Sequence, residues 1–551
     1  MSKLTHGPII GATTHNSVVI WLRADSECTA KVLLAQSPDD LTANIIKKCE
    51  TQLHAETDFT GTVRFEGLQT DKTYAYTVLL DETAVLPTDQ YPIPQFKTFP
   101  ASGSNLSFAF GSCFIPQDYG DEIFARINEQ IMTTADANLD LRFFVMLGDN
   151  VYVDHYYEQN YADQNNEPDL LTLYRETYHE SWKYENFRRA LMNIPTFMIF
   201  DDHEFWNNWG NIPGFPHEEG PYDMAHFEAS VRSYWEYQDQ HNPETTQRHA
   251  SEDTTNVKAP YYYTFSAGDI GFFVLDCRTR RIPGKTMLGQ EQLDALKQWL
   301  LTNKDSYRVK FIISSVPVAF IALPRWLVNK VHGTLGDQWL GYPQERAEIF
   351  KFIQDYDIQN IHFLSGDIHL GQGVVIQSKL NPAHPTVYSY TASPLAQSTS
   401  LLSVQAPAWS SALVGALVGL GVGTALSRLT GVLGILLSLV IGAGAGELIR
   451  RLTNQWQHTD PNQPAFFGRL LYKFFRGLVQ GIYRLGIRKV AGDEIKGDGV
   501  HYQPDNLFSH TEVLHFGVVN VQQTGEDVTV QFTIYDENGR IKRQEKTPHK
   551  V

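Results

Sequence analysis

The chain is poor in cysteine. Its 551 residues contain four, Cys28, Cys49, Cys113 and Cys277, with no CxxC pair among them. That excludes a dense disulfide framework and fits a reducing compartment. It is also short of positive charge, with 45 Lys and Arg against 62 Asp and Glu and a formal net charge of −17. A nucleic-acid binder working through a general basic surface is therefore not expected. The opening stretch MSKLTHGPIIGATTHNS has no basic region followed by an apolar one, so no secretory signal is expected. What the chain does have is length for roughly two to four domains. Its 42% hydrophobic and 19% charged content is that of an ordinary folded protein.

Residues from about 6 to 100 read as all-β. Val18–Leu22, Ala30–Leu34, Gly61–Phe65 and Tyr74–Leu79 are short β-rich runs separated by polar, turn-like stretches, and this spacing predicts a small sandwich. No catalytic cluster is visible in it, so 1–103 is expected to be a structural or substrate-shaping β-sandwich domain. From about 106 the texture changes. Buried-type β runs (Leu106–Phe110, Phe143–Leu147, Thr196–Phe200, Ile270–Leu275, Lys310–Ser314, Ile361–Leu364) alternate with helix-like segments such as Leu170–Met192 and Gln290–Leu301. That alternation predicts a layered α/β domain over 104–551. The β-rich runs Val513–Val521 and Val528–Tyr535 are expected to return and complete its sheets.

The residues that follow each run carry the chemistry. Phe110 leads into Gly-Ser-Cys113, Leu147 into Gly-Asp149-Asn-Val-Tyr152, Phe200 into Asp201-Asp202-His203-Glu204, Leu275 into Asp276-Cys277-Arg278, and Leu364 into Ser-Gly-Asp367-Ile-His369. Ligands of open α/β sheets bind beyond the carboxyl ends of the strands. A lone Asp in such a place is commonly a cap or turn residue, but at least four strands delivering metal-type ligands point to a metal site. Oxygen and imidazole donors suit hard or borderline ions. Asp149 can bridge two cations, and Cys113 and Tyr152 can add anionic thiolate and phenolate donors that favour Fe(III). Two metals about 3.5–4 Å apart can serve an in-line displacement at phosphorus. His203 is suited to protonate a leaving oxygen. Arg278 is open between a fork on a phosphoryl oxygen and a structural ion pair. Asp201 and Glu204 read as partners that orient the ligands, Cys277 as core, and His155, His217 and His226 as surface or structural residues.

The pieces FAFGSC (Phe108–Cys113), LGDNVYVD (Leu147–Asp154), IPTFMIFDDHEFWNN (Ile194–Asn208), VLDCRTRR (Val274–Arg281), LGQEQLDALKQWL (Leu288–Leu300), LSGDIHLG (Leu364–Gly371) and YTASPL (Tyr390–Leu395) together resemble the alkaline phosphatase D (PhoD-like) family of metallophosphoesterases, in that family's order. The opening GPIIGATTHNSVVIWLRA extends the resemblance to the N-terminal β-domain. The resemblance implies a metallophosphoesterase-type double-sheet sandwich flanked by helices, hydrolysis of phosphate mono- or diesters, and Fe(III) with Ca(II), another divalent ion being an alternative at the second site. Cys113, Asp149, Tyr152 and His369 would hold the iron. Asp149, Asp202 and Asp367 would hold the second ion, His203 would be the acid, and Asn208 would position the phosphate or a calcium ion. Related phosphoesterases supply a further His between the DDHE-like and GDxH-like motifs, for which no counterpart is identified here.

Residues 404–491 depart from this pattern. Ser411–Ser427 and Leu429–Gly446 carry no charge and are separated by Arg428. Small residues recur at every fourth position (Ser411, Gly415, Gly419, Gly423, Ser427, then Gly434, Ser438, Gly442, Gly446), which on a helix gives one face for close packing. Phe466–Val490 is amphipathic, with Arg469, Lys473, Arg476, Arg484 and Arg488 on one side. The segment holds nine Lys and Arg against two Asp and Glu. It is expected to be an apolar helical insertion that binds a membrane surface, on the cytoplasmic side given the lack of a signal, and so biases the chain toward lipid-like or membrane-linked phosphoesters. The alternative is a soluble, Gly-rich helical pair packed on the enzyme or forming an oligomer contact. For the whole chain, the competing functions are a catalytically weak, membrane-associated scaffold and a nuclease-like diesterase. The full ligand set weighs against the first and the acidic balance against the second.

Overall fold

Alternating burial builds the N-terminal sheets. In β3 (Cys28–Ala35) every second side chain is buried, the signature of a strand with one covered face. A computed structural model of the protein describes residues 1–42, 44–132, 140–162, 168–209, 224–244, 261–319, 337–397, 494–510, 514–539 and 541–549. The expected insertion at 404–491 and His217 lie outside the described residues. Met1–Thr399 and Ala491–Val551 pack as one unit. Its N-terminal part has β1 (Leu4–Thr13), β2 (Ser17–Ala24) and β5 (Thr60–Glu66) in one sheet; β3, β4 (Lys47–Leu53), β6 (Thr73–Leu80), β7 (Thr83–Ala84) and β8 (Gln95–Lys97) form the other. Between them lies a core of Ile20, Leu22, Val32, Leu34, Tyr76 and Val78.

The strands that follow are β9 (Leu106–Gly111), β10 (Leu141–Leu147), β11 (Thr196–Ile199), β12 (Tyr263–Ala267), β13 (Ile270–Val274), β14 (Val309–Ile313), β15 (Ile361–Ser365), β16 (Gly371–Ser378), β17 (Val387–Thr391), β18 (Ile495–Gly497), β19 (Val500–His510), β20 (His515–Thr524), β21 (Asp527–Asp536) and β22 (Ile541–His549). They form a six-stranded sheet ordered β11-β10-β9-β20-β21-β22 and an eight-stranded sheet ordered β12-β13-β14-β15-β17-β16-β19-β18. Both are mixed. β9, β10 and β11 are parallel, as are β13, β14, β15 and β17. β20 adds antiparallel to β9, and β19 to β16, so the C-terminal strands do return to the sheets as expected.

The two large sheets face each other through aromatic side chains. Within one sheet Phe108 stacks on Phe143 at 4.7 Å, and across to the other Phe143 meets Phe272 edge-on at 5.3 Å and Phe108 meets Phe311 at 5.2 Å. Such T-shaped and stacked contacts are favoured by the ring quadrupole. β9, β10, β13, β14 and β15 are buried along their whole length, because helices cover the outer faces as well. The helices Glu122–Met132, Leu170–Trp182 and Glu185–Leu191 pack with Phe144 and Met146 of β10. The helices Gly289–Thr302 and Pro343–Asp355 pack with Phe273, Ile312 and Phe363. The expected single helix over Leu170–Met192 is two helices, broken at Lys183 and Tyr184. Among the described residues no helix is long and apolar enough to cross a membrane.

Candidate metal centre

Parallel pairing puts the C-terminal ends of β9, β10 and β11 along one edge, and Cys113, Asp149 and Asp201–Asp202 lie just beyond it. Asp367 follows β15 in the facing sheet. The edges abut. A Cβ on Gly366 would lie 2.1 Å from Ser112 Oγ, and the Asp367 N–H donates to that same Oγ at 3.1 Å. Gly148 (φ +99°) allows an equally close approach, since a Cβ there would lie 2.5 Å from Asp201 Cβ. The segment Ala392–Ala396 sews the edges together, with the Leu395 and Ala396 N–H groups donating to the carbonyls of Ser112 and Cys113. Five candidate residues, Cys113, Asp149, Asn208, Asp367 and His369, have φ between 50° and 65°. Non-glycine residues rarely adopt that region. Its cost of roughly 1–3 kcal/mol per residue is borne here in the turns that follow the strand ends.

Asp149, Asp201, Asp202 and Asp367 each bring a carboxylate oxygen within 4.8 Å of the others, and Asp149, Asp202 and His203 form an overlapping group. Asp149 faces two ways. Its Oδ2 receives the Cys113 thiol at 3.2 Å and the Tyr152 hydroxyl at 3.3 Å, while its Oδ1 receives the His203 backbone N–H at 3.4 Å. Ser393 Oγ donates to Cys113 Sγ at 3.1 Å. Burial, then repulsion from Asp202, pushes the Asp149 pKa well up; burial, then Asp201, does so for Asp367. Burial, then the Asp149 carboxylate, raises Cys113 and Tyr152. Burial thus favours the neutral forms of these groups, and a bound cation would favour the charged ones. The buried Asp201 Oδ2 and Asp202 Oδ1 have no hydrogen-bond partner. Crowded carboxylates, a buried Asp201 oxygen without a partner and nearby thiol, phenol and imidazole donors fit a metal ion.

His203 sits at the edge of this cluster. Its Nδ1 is 2.8 Å from Asp154 Oδ1, and its ring lies over Tyr152 with centroids 4.0 Å apart. Burial alone would lower its pKa, but Asp154, Asp202 and Asp149 outweigh that and hold it well above the ordinary value. Glu204 is buried and ties the turns together, accepting the N–H groups of Asp149 (3.0 Å), Asn150 (2.8 Å) and Asp201 (2.8 Å). Burial raises its pKa to about 7 against these hydrogen bonds.

Not every expected ligand joins the cluster. His369 belongs to neither carboxylate group; burial, then repulsion from His203, lowers its pKa to about 3, which leaves a neutral imidazole. The Asn208 side chain is exposed, and it is the Asn208 backbone N–H that donates to Asp202 Oδ2. Arg278 is fully buried. Its Nε bonds Asp201; Nη1 bonds the Trp209 carbonyl (2.8 Å) and Asp337; Nη2 bonds Asp337 (3.0 Å) and lies 3.3 Å from Asp202. The fork is thus fully engaged in ion pairs. Sequence reasoning missed Asp154, Asp337 and Ser393, and gave Asp201 only an orienting role. Asp154 lies inside the LGDNVYVD stretch and could have been found there, whereas Asp337 carries no local signal.

The family model described as PhoD-like phosphatase matches residues 108–400, and one described only as a domain of unknown function matches 1–98. Alkaline phosphatase D of Bacillus subtilis (strain 168) is 25% identical over 406 residues, covering 66% of this chain. The chain spans 64% of that relative's length, which is less than two thirds. A solved structure of PhoD superposes with a TM-score of 0.55 at 22% identity, covering 71% of this chain and 77% of the other, a likeness of fold. The first match takes in more than half of the chain and every candidate residue from Cys113 to His369, so the chain belongs to the PhoD-like phosphatase family.

Proposed function

We propose that the chain hydrolyses phosphate mono- or diesters at the carboxylate cluster. The observation that carries this is the convergence of Asp149, Asp201, Asp202 and Asp367 beside a histidine supported by its own carboxylate. Asp149, Asp202 and Asp367 would hold Ca(II) or another divalent ion. Asp149, Cys113, Tyr152 and, from the resemblance, His369 would hold Fe(III). Bound there, the pair supplies Lewis acidity for displacement at phosphorus by water. The chain's own residues do the rest. His203, its pKa raised by Asp154, delivers a proton to the leaving oxygen. Arg278 and the Asn208 N–H fix the rims of the cluster by holding Asp201 and Asp202. The Glu204 carboxylate keeps the two Asp-bearing turns in register.

The test is the metal content and visible spectrum of the purified protein, alongside its turnover of nitrophenyl phosphate mono- and diesters. Bound iron with a ligand-to-metal charge-transfer band that Tyr152→Phe removes or shifts is the expected result. A colourless, iron-free and fully active protein overturns the iron assignment. A metal-loaded protein that cleaves no phosphoester overturns the hydrolase reading in favour of a scaffold.

The same proposal includes membrane attachment through 404–491, supported by its two uncharged stretches and its excess of Lys and Arg. Each stretch would be about 25–27 Å as a helix, slightly short of a roughly 30 Å hydrocarbon core. That suits a hairpin dipping into one leaflet, with the basic helix on an anionic surface. Intact protein is expected to float with anionic liposomes, while a form lacking 404–491 stays behind and keeps its activity on soluble esters. If intact protein ignores every liposome and the deletion changes oligomeric size, the segment is an oligomer contact instead.

A further inference from the structure

The domain match over residues 1–98 assigns those residues no role, yet they grip the helix that backs the metal centre. We propose that Gln238 is a positioning residue of the metal centre and that the N-terminal sheets hold it in place. The kinetic part of this inference rests on the phosphoesterase reading; the metal-retention part does not.

Gln238 follows the helix Met224–Tyr237 and is fully buried. Its carboxamide makes three directed bonds. Oε1 accepts from Asn150 Nδ2 at 2.8 Å, and Nε2 donates to Glu204 Oε1 at 3.1 Å and to the Tyr178 hydroxyl at 2.9 Å. Asn150 adjoins Asp149, and Glu204 holds the N–H groups of Asp149, Asn150 and Asp201. One amide therefore clasps the two turns that carry Asp149 and Asp201–Asp202, without itself being a ligand.

Residues on both sides of Gln238 are anchored to the N-terminal sheets. Tyr237 stacks on Tyr178 at 4.4 Å, and its hydroxyl donates to Asp58. Asp58 lies just before β5 and also receives Arg23 Nε at 3.1 Å and Nη2 at 3.0 Å, with His179 Nε2 at 2.6 Å. Trp21 of β2 donates its indole N–H to the Glu236 carbonyl at 2.8 Å. Gly11 of β1 lies so close to His241 that a Cβ would come within 2.2 Å of its carbonyl oxygen. The helix end at 236–241 thus cannot slide without breaking a buried ion pair or a backbone contact, and Gln238 is fixed against Glu204.

Gln238→Met keeps the length and replaces the amide donor and acceptor by a thioether that donates nothing and accepts only weakly. Orienting partners of this kind are typically worth roughly 10–100-fold in metal affinity or activity. The expected result is metal loss to a chelator faster by about that factor, kcat reduced with KM within about two-fold, and a melting temperature within a few degrees of the parent. Unchanged chelator and turnover rates overturn the role of Gln238, whether or not the melting temperature falls. If that variant does not fold, Tyr178→Phe, which removes the hydroxyl that accepts from Gln238, carries the test. It should change metal loss in the same direction by a smaller factor, and an unchanged rate overturns the role. Asp58→Asn tests the N-terminal grip. Faster metal loss is expected, and a lowered melting temperature with unaltered metal loss overturns that part. If the parent protein cleaves no phosphoester, the proposed function fails while the chelator rates still decide this inference.

Discussion

Replacing Asp154 by Asn separates orientation of His203 from its charge. The two side chains meet at 2.8 Å and are 17% and 13% exposed, so the pair is mostly shielded from water. Asn keeps an acceptor oxygen for Nδ1, and the ring still lies over Tyr152 at 4.0 Å. What disappears is a negative charge that, with Asp202 and Asp149, raises the imidazole pKa. A hydrogen bond to a charged partner is worth about 1.5–3 kcal/mol, or roughly 10–150-fold in rate at about 1.4 kcal/mol per decade. That loss should appear where proton donation to the leaving oxygen limits the rate. Hydrolysis of an alkyl phosphoester is expected to slow by about that factor, and of a nitrophenyl ester by about two-fold or less, because nitrophenolate leaves without a proton. The assay is kcat on both substrates with metal content measured in each preparation. Equal losses on the two esters, at unchanged metal content, would refute the acid role and the part of Asp154 in it.

Asp149→Ala should lose metal and activity together, since Asp149 belongs to both ligand groups; elemental analysis and turnover measure this, and retained metal would refute the bridging position. Gly148→Ala forces a side chain onto a φ of +99° and against Asp201. The backbone alone should cost roughly 1–3 kcal/mol, with β11 pushed from β10 and metal lost, read as a lower melting temperature and reduced metal content. Stability should also fall in acid. Burial lowers the pKa of His6 and His241 to about 3, so below about pH 6.5 the unfolded chain binds protons that the folded one refuses, and stability drops from there toward pH 3. Asp58 adds to this lower down. Burial opposes its ionisation, but His179 and Arg23 depress its folded pKa, so its contribution is present above the unfolded value and lost as pH falls further. Melting curves between pH 8 and 4 test the sign, and His241→Leu should flatten the slope by about 1.4 kcal/mol per pH unit; an unchanged slope would sink the assignment.

Much of the site was legible because its ligands follow apolar runs directly. Phe143–Leu147 and Ile361–Leu364 are continuous buried strands, and the Gly-Asp that ends each run has few local explanations. Two of the four N-terminal strands not foreseen hide their pattern, and the other two, β7 and β8, are only two and three residues long. β1 contains Gly7, Pro8 and Gly11, and β4 (KKCETQL) buries only its last residue fully. The break at Lys183 and Tyr184 has no Gly or Pro to signal it. The second helix is started from elsewhere in the chain, because Asp121 accepts the N–H groups of Asn186 and Phe187 at 2.7 and 3.1 Å. Arg278 and Gln238 were opaque for the same reason. Their partners Asp337 and Asn150 are distant in sequence, and local spacing says nothing about contacts that only the packed sheets create.

The strand order constrains how this protein can be made. β9 begins at Leu106 but its second neighbour, β20, begins at His515, and β16 waits for β19. At about 5–20 residues per second, a ribosome needs on the order of 20–80 s to cover the roughly 400 residues between Leu106 and His515. During that interval β9 keeps one unpaired edge, and β16 does so for the shorter stretch until β19 is made, the kind of surface that recruits strands from other chains. A nascent chain is therefore an obvious client for a holdase, and a product terminated before residue 515 is expected to aggregate rather than form a smaller enzyme.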